Sequence, residues 1–168
     1  MVIPYLLLYR GDKLLRYYIL AIFVLTVDQL TKRAVATYMN MGQTIPLIPG
    51  VFHLTSHRNR GAAFGILQNQ RVFLIVITII VIIGIIVYLR KVYREKKFFS
   101  YGLSFVLGGT LGNFVDRAIK GEVVDMLDFR LIDYPIFNMA DCFIVIGVAI
   151  IFLHTFLEAR MEKKRTTE

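Results

Sequence analysis

Four long apolar stretches alternate with short, strongly charged connections along this chain. Val72 to Leu89 carries no charge and is rich in Ile and Val. At ~1.5 Å per helical residue it is long enough to cross most of a ~30 Å hydrocarbon core. Phe98 to Val115 is likewise uncharged, and Tyr134 to Leu157 is apolar except at Asp141 and His154. The earliest stretch, Tyr17 to Ala36, is apolar as far as Val27 and then carries Asp28, Lys32 and Arg33. The pattern predicts an all-α integral membrane protein with four transmembrane helices, over residues 17–36, 72–89, 98–115 and 134–157. The connections 37–71 and 116–133 then share one face of the bilayer. The first interrupts short apolar pieces with Gly42, Pro46, Pro49 and Gly50, which predicts a small β or amphipathic element between helices 1 and 2. Residues 1–168 read as one domain, with residues 1–13 as an interfacial extension too short to span.

Composition narrows the class. An apolar content of 57% in 168 residues is too high for a soluble globule and makes lipid the solvent. A net charge of +8 would suggest nucleic acid in a soluble protein, but these charges flank the apolar runs, so nucleic acid is not an expected partner. Arg10, Lys13 and Arg16 precede the first span, Arg90, Lys91, Arg94, Lys96 and Lys97 fill the second connection, and Arg160, Lys163, Lys164 and Arg165 follow the fourth. This bias predicts cytoplasmic termini and an extracytoplasmic position for the connections 37–71 and 116–133. The single Cys142 builds no disulfide or thiolate site, and His53, His57 and His154 lack metal-ligand spacing. No metal and no cofactor are expected.

An ionisable side chain inside a membrane span is costly and therefore a functional candidate. Asn138 and Asp141, at i and i+3, would share one helical face, with Asp125 folded back over Asp141 by a short loop. Two aspartates facing each other in a partly dry site share a proton, and such a pair activates water and protonates a leaving amine. The plain alternative is that Asp141 bonds neighbouring helices and Asp125 is a solvated loop residue. Asp28 and Lys32, at i and i+4, read as a structural ion pair that positions the first helix. Asp116 and Arg117 close the third span, where a guanidinium either organises carboxylates or anchors the interface; Asn113, four residues earlier, supports the site. Asn59 and Gly61 suit either a close-approaching peptide or a tight turn. His57 and Arg60 are candidates for lipid phosphates, and Arg58 for a solvated charge. Gly108, Gly109 and Gly112 read as helix packing. Asp128 and Asp133 are expected to be exposed, with Asp128 in reserve should Asp125 be dispensable. Cys142 is not expected to be a nucleophile beside a carboxylate, and His154 is expected at the interface.

Four blocks of this sequence resemble those of the lipoprotein signal peptidases, or signal peptidase II. They are Asp28-Gln-Leu-Thr-Lys32; Asn59-Arg-Gly-Ala-Ala-Phe64; Gly108-Gly-Thr-Leu-Gly-Asn-Phe-Val-Asp-Arg117 continuing to Gly121-Glu-Val-Val-Asp125; and Phe137-Asn-Met-Ala-Asp141. Their order and their placement against the spans make the combination specific. The resemblance implies an aspartic endopeptidase with Asp125 and Asp141 as catalytic pair, and Asn59, Gly61, Arg117 and Asn138 holding substrate or shaping the site. It implies prolipoproteins carrying a diacylglyceryl cysteine as substrates, cleaved just before that cysteine, and a monomer in the bacterial cytoplasmic membrane among membrane lipids. The extension 1–13 belongs to none of the blocks, and Met126 stands where the family often has an aromatic residue. The rival readings are a small four-span proton-coupled transporter with Asp28 or Asp141 as its ion site, and a purely structural membrane subunit. The long first connection and the acids gathered toward one face argue against the transporter.

Overall fold

The computed structural model describes residues 3–62, 66–132 and 134–167. Helix α1 spans Ile3–Tyr38, strands β1 and β2 span Thr44–Ile48 and Phe52–Asn59, and helices α2 and α3 span Arg71–Val92 and Lys97–Ile119. Strand β3 follows over Val123–Phe129, then a short 3-10 turn at Arg130–Ile132 and helix α4 over Met139–Thr167. Four helical segments among the described residues are long and apolar enough to cross a membrane: Lys13–Tyr38, Arg71–Val92, Lys97–Ile119 and Met139–Arg165. Residues 3–12 continue α1 rather than forming a separate element.

Most large aliphatic side chains of the helices are exposed, as expected where lipid is the solvent, and the buried positions are the informative ones. In α1 they are Tyr17, Ala21, Val24, Asp28, Lys32 and Val35, a run of three- and four-residue steps that marks one helical face, continued by Met39 just past its end. Helix α3 packs against all three other helices. Its small residues allow this: a Cβ on Gly108 would lie 2.6 Å from the Ala21 carbonyl oxygen, and one on Gly109 would meet Ala140. The α3 backbone therefore rests directly on α1 and α4, which is helix packing of the small-residue kind.

A three-stranded antiparallel sheet of order β1-β2-β3 sits at the end of the bundle shared by the α1–α2 and α3–α4 connections. The sequence predicts a β element only between helices 1 and 2; its third strand instead comes from between helices 3 and 4. Helix α3 ends where Gly121, at φ +80°, donates its N–H to the Asp116 carbonyl at 3.2 Å. That left-handed residue is a helix C-terminal stop that favours glycine, and it turns the chain straight into β3. Arg71 secures the same corner, donating from Nε to the Arg117 carbonyl at 2.8 Å and from Nη2 to that of Ala118 at 2.7 Å.

Alternation then sorts the β3 side chains. Val124 and Met126 pack with Val35 and Met39 at the end of α1, while Val123 and Asp125 turn to the other face. Asp128 is corrected from an exposed loop residue to a buried one. Its Oδ2 accepts from Thr55 Oγ1 at 2.6 Å and from Arg130 Nε at 2.9 Å, which latches β2 to β3. Burial pushes this carboxyl up, but the bonds from Arg130 and Thr55, with the nearby charges of Arg130 and His53, outweigh it and hold the group below its ordinary value. Its stabilisation is therefore present above the unfolded carboxyl's titration near pH ~4 and is lost as pH falls through the lower folded value. We expect Asp128→Ala to cost about 1–3 kcal/mol by stranding the Thr55 and Arg130 donors. Thermal melting against pH checks this, and a variant melting like the wild type near neutrality would contradict it. Asp133, Ala63 and Phe64 lie outside the described residues.

Candidate active site

The site lies where the sheet meets the first turn of α4. Pro135 precedes α4, and Phe137 bridges to Leu127 of β3. Asn138 therefore caps the helix rather than lying within it, and Asp141 sits in the first turn, not two turns deep as the sequence suggests. The cap is reciprocal: the Asp141 N–H donates to Asn138 Oδ1 at 3.2 Å, and the Asn138 N–H donates to Asp141 Oδ2 at 3.1 Å. This is a capping box in an Asn/Asp version, and it satisfies two otherwise orphaned helix-end donors. A third donor, the Ala140 N–H, is taken by Asp28 Oδ1 at 2.9 Å.

Asn138 also reaches the other carboxylate. Its Nδ2 donates to Asp125 Oδ1 at 2.7 Å, while Asn59 Nδ2 donates to Asp125 Oδ2 at 3.0 Å. One residue thus holds Asp125 through its side chain and Asp141 through its backbone. Asn113 holds Asp141 from α3, with Nδ2 donating to Oδ1 at 2.8 Å. The direction of the Asn113 amide is fixed from behind, because its Oδ1 accepts from Lys32 Nζ at 2.8 Å and from Asn138 Nδ2 at 3.2 Å.

Lys32 is the hub beneath. Its Nζ lies 2.9 Å from Asp28 Oδ2 and 2.9 Å from Asp116 Oδ2, all three side chains being fully buried. The sequence pairs Asp28 with Lys32; the structure adds Asp116 as a second partner, with Lys120 on its other oxygen at 3.1 Å. Buried charges persist when they are paired, and both carboxylates of this cluster are paired with Lys32, Asp116 Oδ2 through charge alone, without a hydrogen bond.

Asp125 and Asp141 open onto one cavity of about 420 Å³, whose wall also includes His57, Asn59, Arg117 and Asn138. Asp125 is only 2% exposed. Burial is the main cause that pushes its carboxyl above the ordinary value, opposed by the Asn138 and Asn59 donors and reinforced by the neighbouring charge of Asp141. Arg117 donates from Nη2 to the Gly61 carbonyl at 2.9 Å, and the Gly61 N–H donates to Asn59 Oδ1 at 2.9 Å. A second, apolar cavity of about 440 Å³ adjoins the first, with Tyr134, Phe137, Asp141 and Val145 common to both and Phe129 and Cys142 at its far side.

Acids on β3 and α4 that converge on one cavity, held by asparagines from β2, α3 and the α4 cap, suit hydrolytic chemistry. The family model described as Signal peptidase (SPase) II matches residues 20–157. The chain belongs to the signal peptidase II family. It is 54% identical over 147 residues to the lipoprotein signal peptidase of Brevibacillus brevis, a match covering 88% of this chain and 99% of that protein. It is 45% identical over 159 residues to that of Anoxybacillus flavithermus, covering 94% of each. Among solved structures, a bacterial membrane enzyme determined by the in meso method at 2.3 Å superposes with a TM-score of 0.77 at 37% identity. That likeness covers 86% of this chain and 89% of the other, and a second such enzyme at 1.9 Å gives 0.72 at 39% identity.

Asn59, Arg117, Asp125, Asn138 and Asp141 meet around the cavity, with Gly61 bonded to Asn59 and Arg117 beside it, Asn113 behind Asp141, and Asp28, Lys32 and Asp116 below. Asp128 does not line this cavity. Cys142 faces the apolar cavity, and His154 lies about midway along α4 against Phe98 and Phe99. Sequence reasoning missed that Asp28 caps α4 and that His57 faces Asp125 across the sheet; the strand alternation around Asp125 was the available signal for the latter. Among the described residues, no three His, Cys, Asp or Glu side chains are grouped to hold a metal ion.

Gly61 leaves no room for a side chain, since a Cβ there would lie 2.6 Å from the Ile66 carbonyl oxygen and 2.8 Å from Gln68 Nε2. We expect Gly61→Ala to displace the Asn59–Gly61–Arg117 arrangement and lower kcat/KM at least ~10-fold, an effect of the size that a misplaced site wall produces. Steady-state cleavage kinetics on the folded variant measure it; unchanged kinetics would show that the wall plays no part in the reaction.

Proposed function

We propose that this protein is a membrane aspartic endopeptidase that removes the signal peptide from diacylglyceryl-modified prolipoproteins, cleaving just before the lipid-modified cysteine. The curated relatives are lipoprotein signal peptidases, which supports the substrate class. The observation that carries the mechanism is Asn138 binding Asp125 through its side chain and Asp141 through its backbone, at the wall of one cavity.

The two acids work as a unit with a single shared proton. Burial pushes the Asp125 carboxyl upward, which favours one proton on the pair as a whole. A water between them loses a proton to the ionised carboxylate as its oxygen attacks the scissile carbonyl carbon, while the protonated carboxyl hydrogen-bonds the carbonyl oxygen. The tetrahedral intermediate collapses when the C–N bond breaks and the leaving nitrogen takes up a proton from the pair. The asparagine donors fix both side chains before substrate arrives, so little reorganisation is left for the reaction itself.

The positive flanks support cytoplasmic termini and a sheet on the extracytoplasmic side of the bacterial cytoplasmic membrane. The apolar cavity beside Asp141 supports lateral entry, in which the acyl chains remain in the membrane lipid while the extended peptide enters the polar cavity.

The deciding experiment incubates the purified protein with a lipidated preprotein and with its unmodified counterpart, and reads the products by intact mass. The expected product begins at the lipidated cysteine, forms only from the modified substrate, and is unaffected by a chelator. Equal cleavage of both substrates, or chelator inhibition reversed by zinc, would overturn the reading.

A further inference from the structure

His57 of β2 stands directly opposite Asp125 in the β2–β3 register, as Asn59 stands opposite Val123. Residues paired across antiparallel strands project to the same face, with Cβ atoms about 4.5–5.5 Å apart. His57, Asn59, Val123 and Asp125 therefore share the sheet face that forms one wall of the polar cavity, and all four line it. His57 is exposed where Asp125 is buried, so its imidazole lies toward the open side of that wall.

Most neighbouring polar side chains of the wall are already engaged. Asn59, Asn113 and Asn138 donate to the two carboxylates, and Arg117 donates from Nη2 to Gly61, while its unpartnered Nε is buried away from the open side. Among the described residues no hydrogen bond or ion pair involves the His57 ring; only its main-chain oxygen is used, accepting from Arg58 at 3.2 Å. Gln68 is also without such a bond, but it packs at Gly61, at the far end of the wall from Asp141 in the bond network. A peptide drawn out of water into this cavity brings main-chain carbonyls that need donors, and an unmet one is costly.

We propose that His57 is a substrate-contacting residue, whose ring nitrogen donates a hydrogen bond to a main-chain carbonyl of the extended peptide beside Asp125. The inference rests on the aspartic peptidase reading above.

The test uses the full-length enzyme with a lipidated preprotein, comparing wild type, His57→Ala and His57→Gln, with Asp125→Asn as reference. His57→Ala is expected to raise KM about 5–20-fold with kcat within about threefold, the size of one lost hydrogen bond. His57→Gln keeps an N–H donor and recovers most of the KM. An unchanged KM in folded His57→Ala, or a His57→Gln that recovers none of it, overturns the assignment. If His57 variants match wild type while Asp125→Asn is inactive, only this inference fails; if Asp125→Asn is active, the aspartic peptidase reading fails first.

Discussion

Asp125→Asn and Asp141→Asn are each expected to lower the cleavage rate by at least ~10³-fold while leaving the protein folded in the membrane, near the upper end of what a positioned acid–base group supplies. The amide keeps the size of the carboxyl but cannot accept the water's proton or carry the shared one. At Asp141 the amide oxygen can still accept the Asn138 N–H that closes the helix cap, but its NH2 group then faces the Asn113 donor. At Asp125 Asn138 and Asn59 likewise both aim N–H donors at the carboxylate oxygens. An asparagine at either position must face one of these donors with its own NH2 group. Both variants therefore also lose some thermal stability while remaining folded. Because the acids act as a unit, the double variant should be hardly slower than either single one. Near wild-type turnover in either single variant would remove the pair from the mechanism.

Lys32→Met is the substitution expected to cost most stability. It keeps the volume of the side chain but leaves Asp28 and Asp116 buried without their shared cation. Breaking a buried ion cluster by removing one partner costs about 3–5 kcal/mol. The loss spreads to the site by two routes. Asp28 accepts the Ala140 N–H and so seats the first turn of α4, and Lys32 sets the direction of the Asn113 amide that donates to Asp141. Without Lys32 the direction of the Asn113 amide rests on the longer bond from Asn138 alone, so the surviving folded fraction should also turn over more slowly. Adding Asp116→Asn to Lys32→Met removes one stranded charge and should return part of the melting temperature. A Lys32→Met protein that melts like wild type would show that the cluster contributes nothing to the fold.

The contrast between what sequence shows and hides here follows from the range of each interaction. The spans are legible because a bilayer demands long uncharged runs, and Val72 to Leu89 announces α2 without help from any other part of the chain. Asp28 and Lys32 are legible as a pair because four residues is one helical turn. Asp116 as their third member is not, since it approaches only when α3 packs on α1. Strand β3 is hidden for a similar reason: its seven residues include two carboxylates, and they form a strand because β2, from a distant connection, offers them partners. Asp128 therefore looks like a solvated loop acid until Thr55 is brought beside it. Asn138 shares a neighbourhood with Asp141 in both views. The spacing alone cannot distinguish two residues on one helical face from a cap and its third residue, and Phe137 pairing to β3 decides for the cap.

Isotope labelling of the solvent reaches the chemical proposal most directly. Multiple turnovers in water enriched in oxygen-18 should place the label in the new carboxyl terminus of the released signal peptide and leave the carboxyl groups of Asp125 and Asp141 unlabelled, as expected if water itself attacks the peptide bond. Recovery of oxygen-18 in either aspartate would mean that a side chain attacked first, and would contradict a water held between two acids.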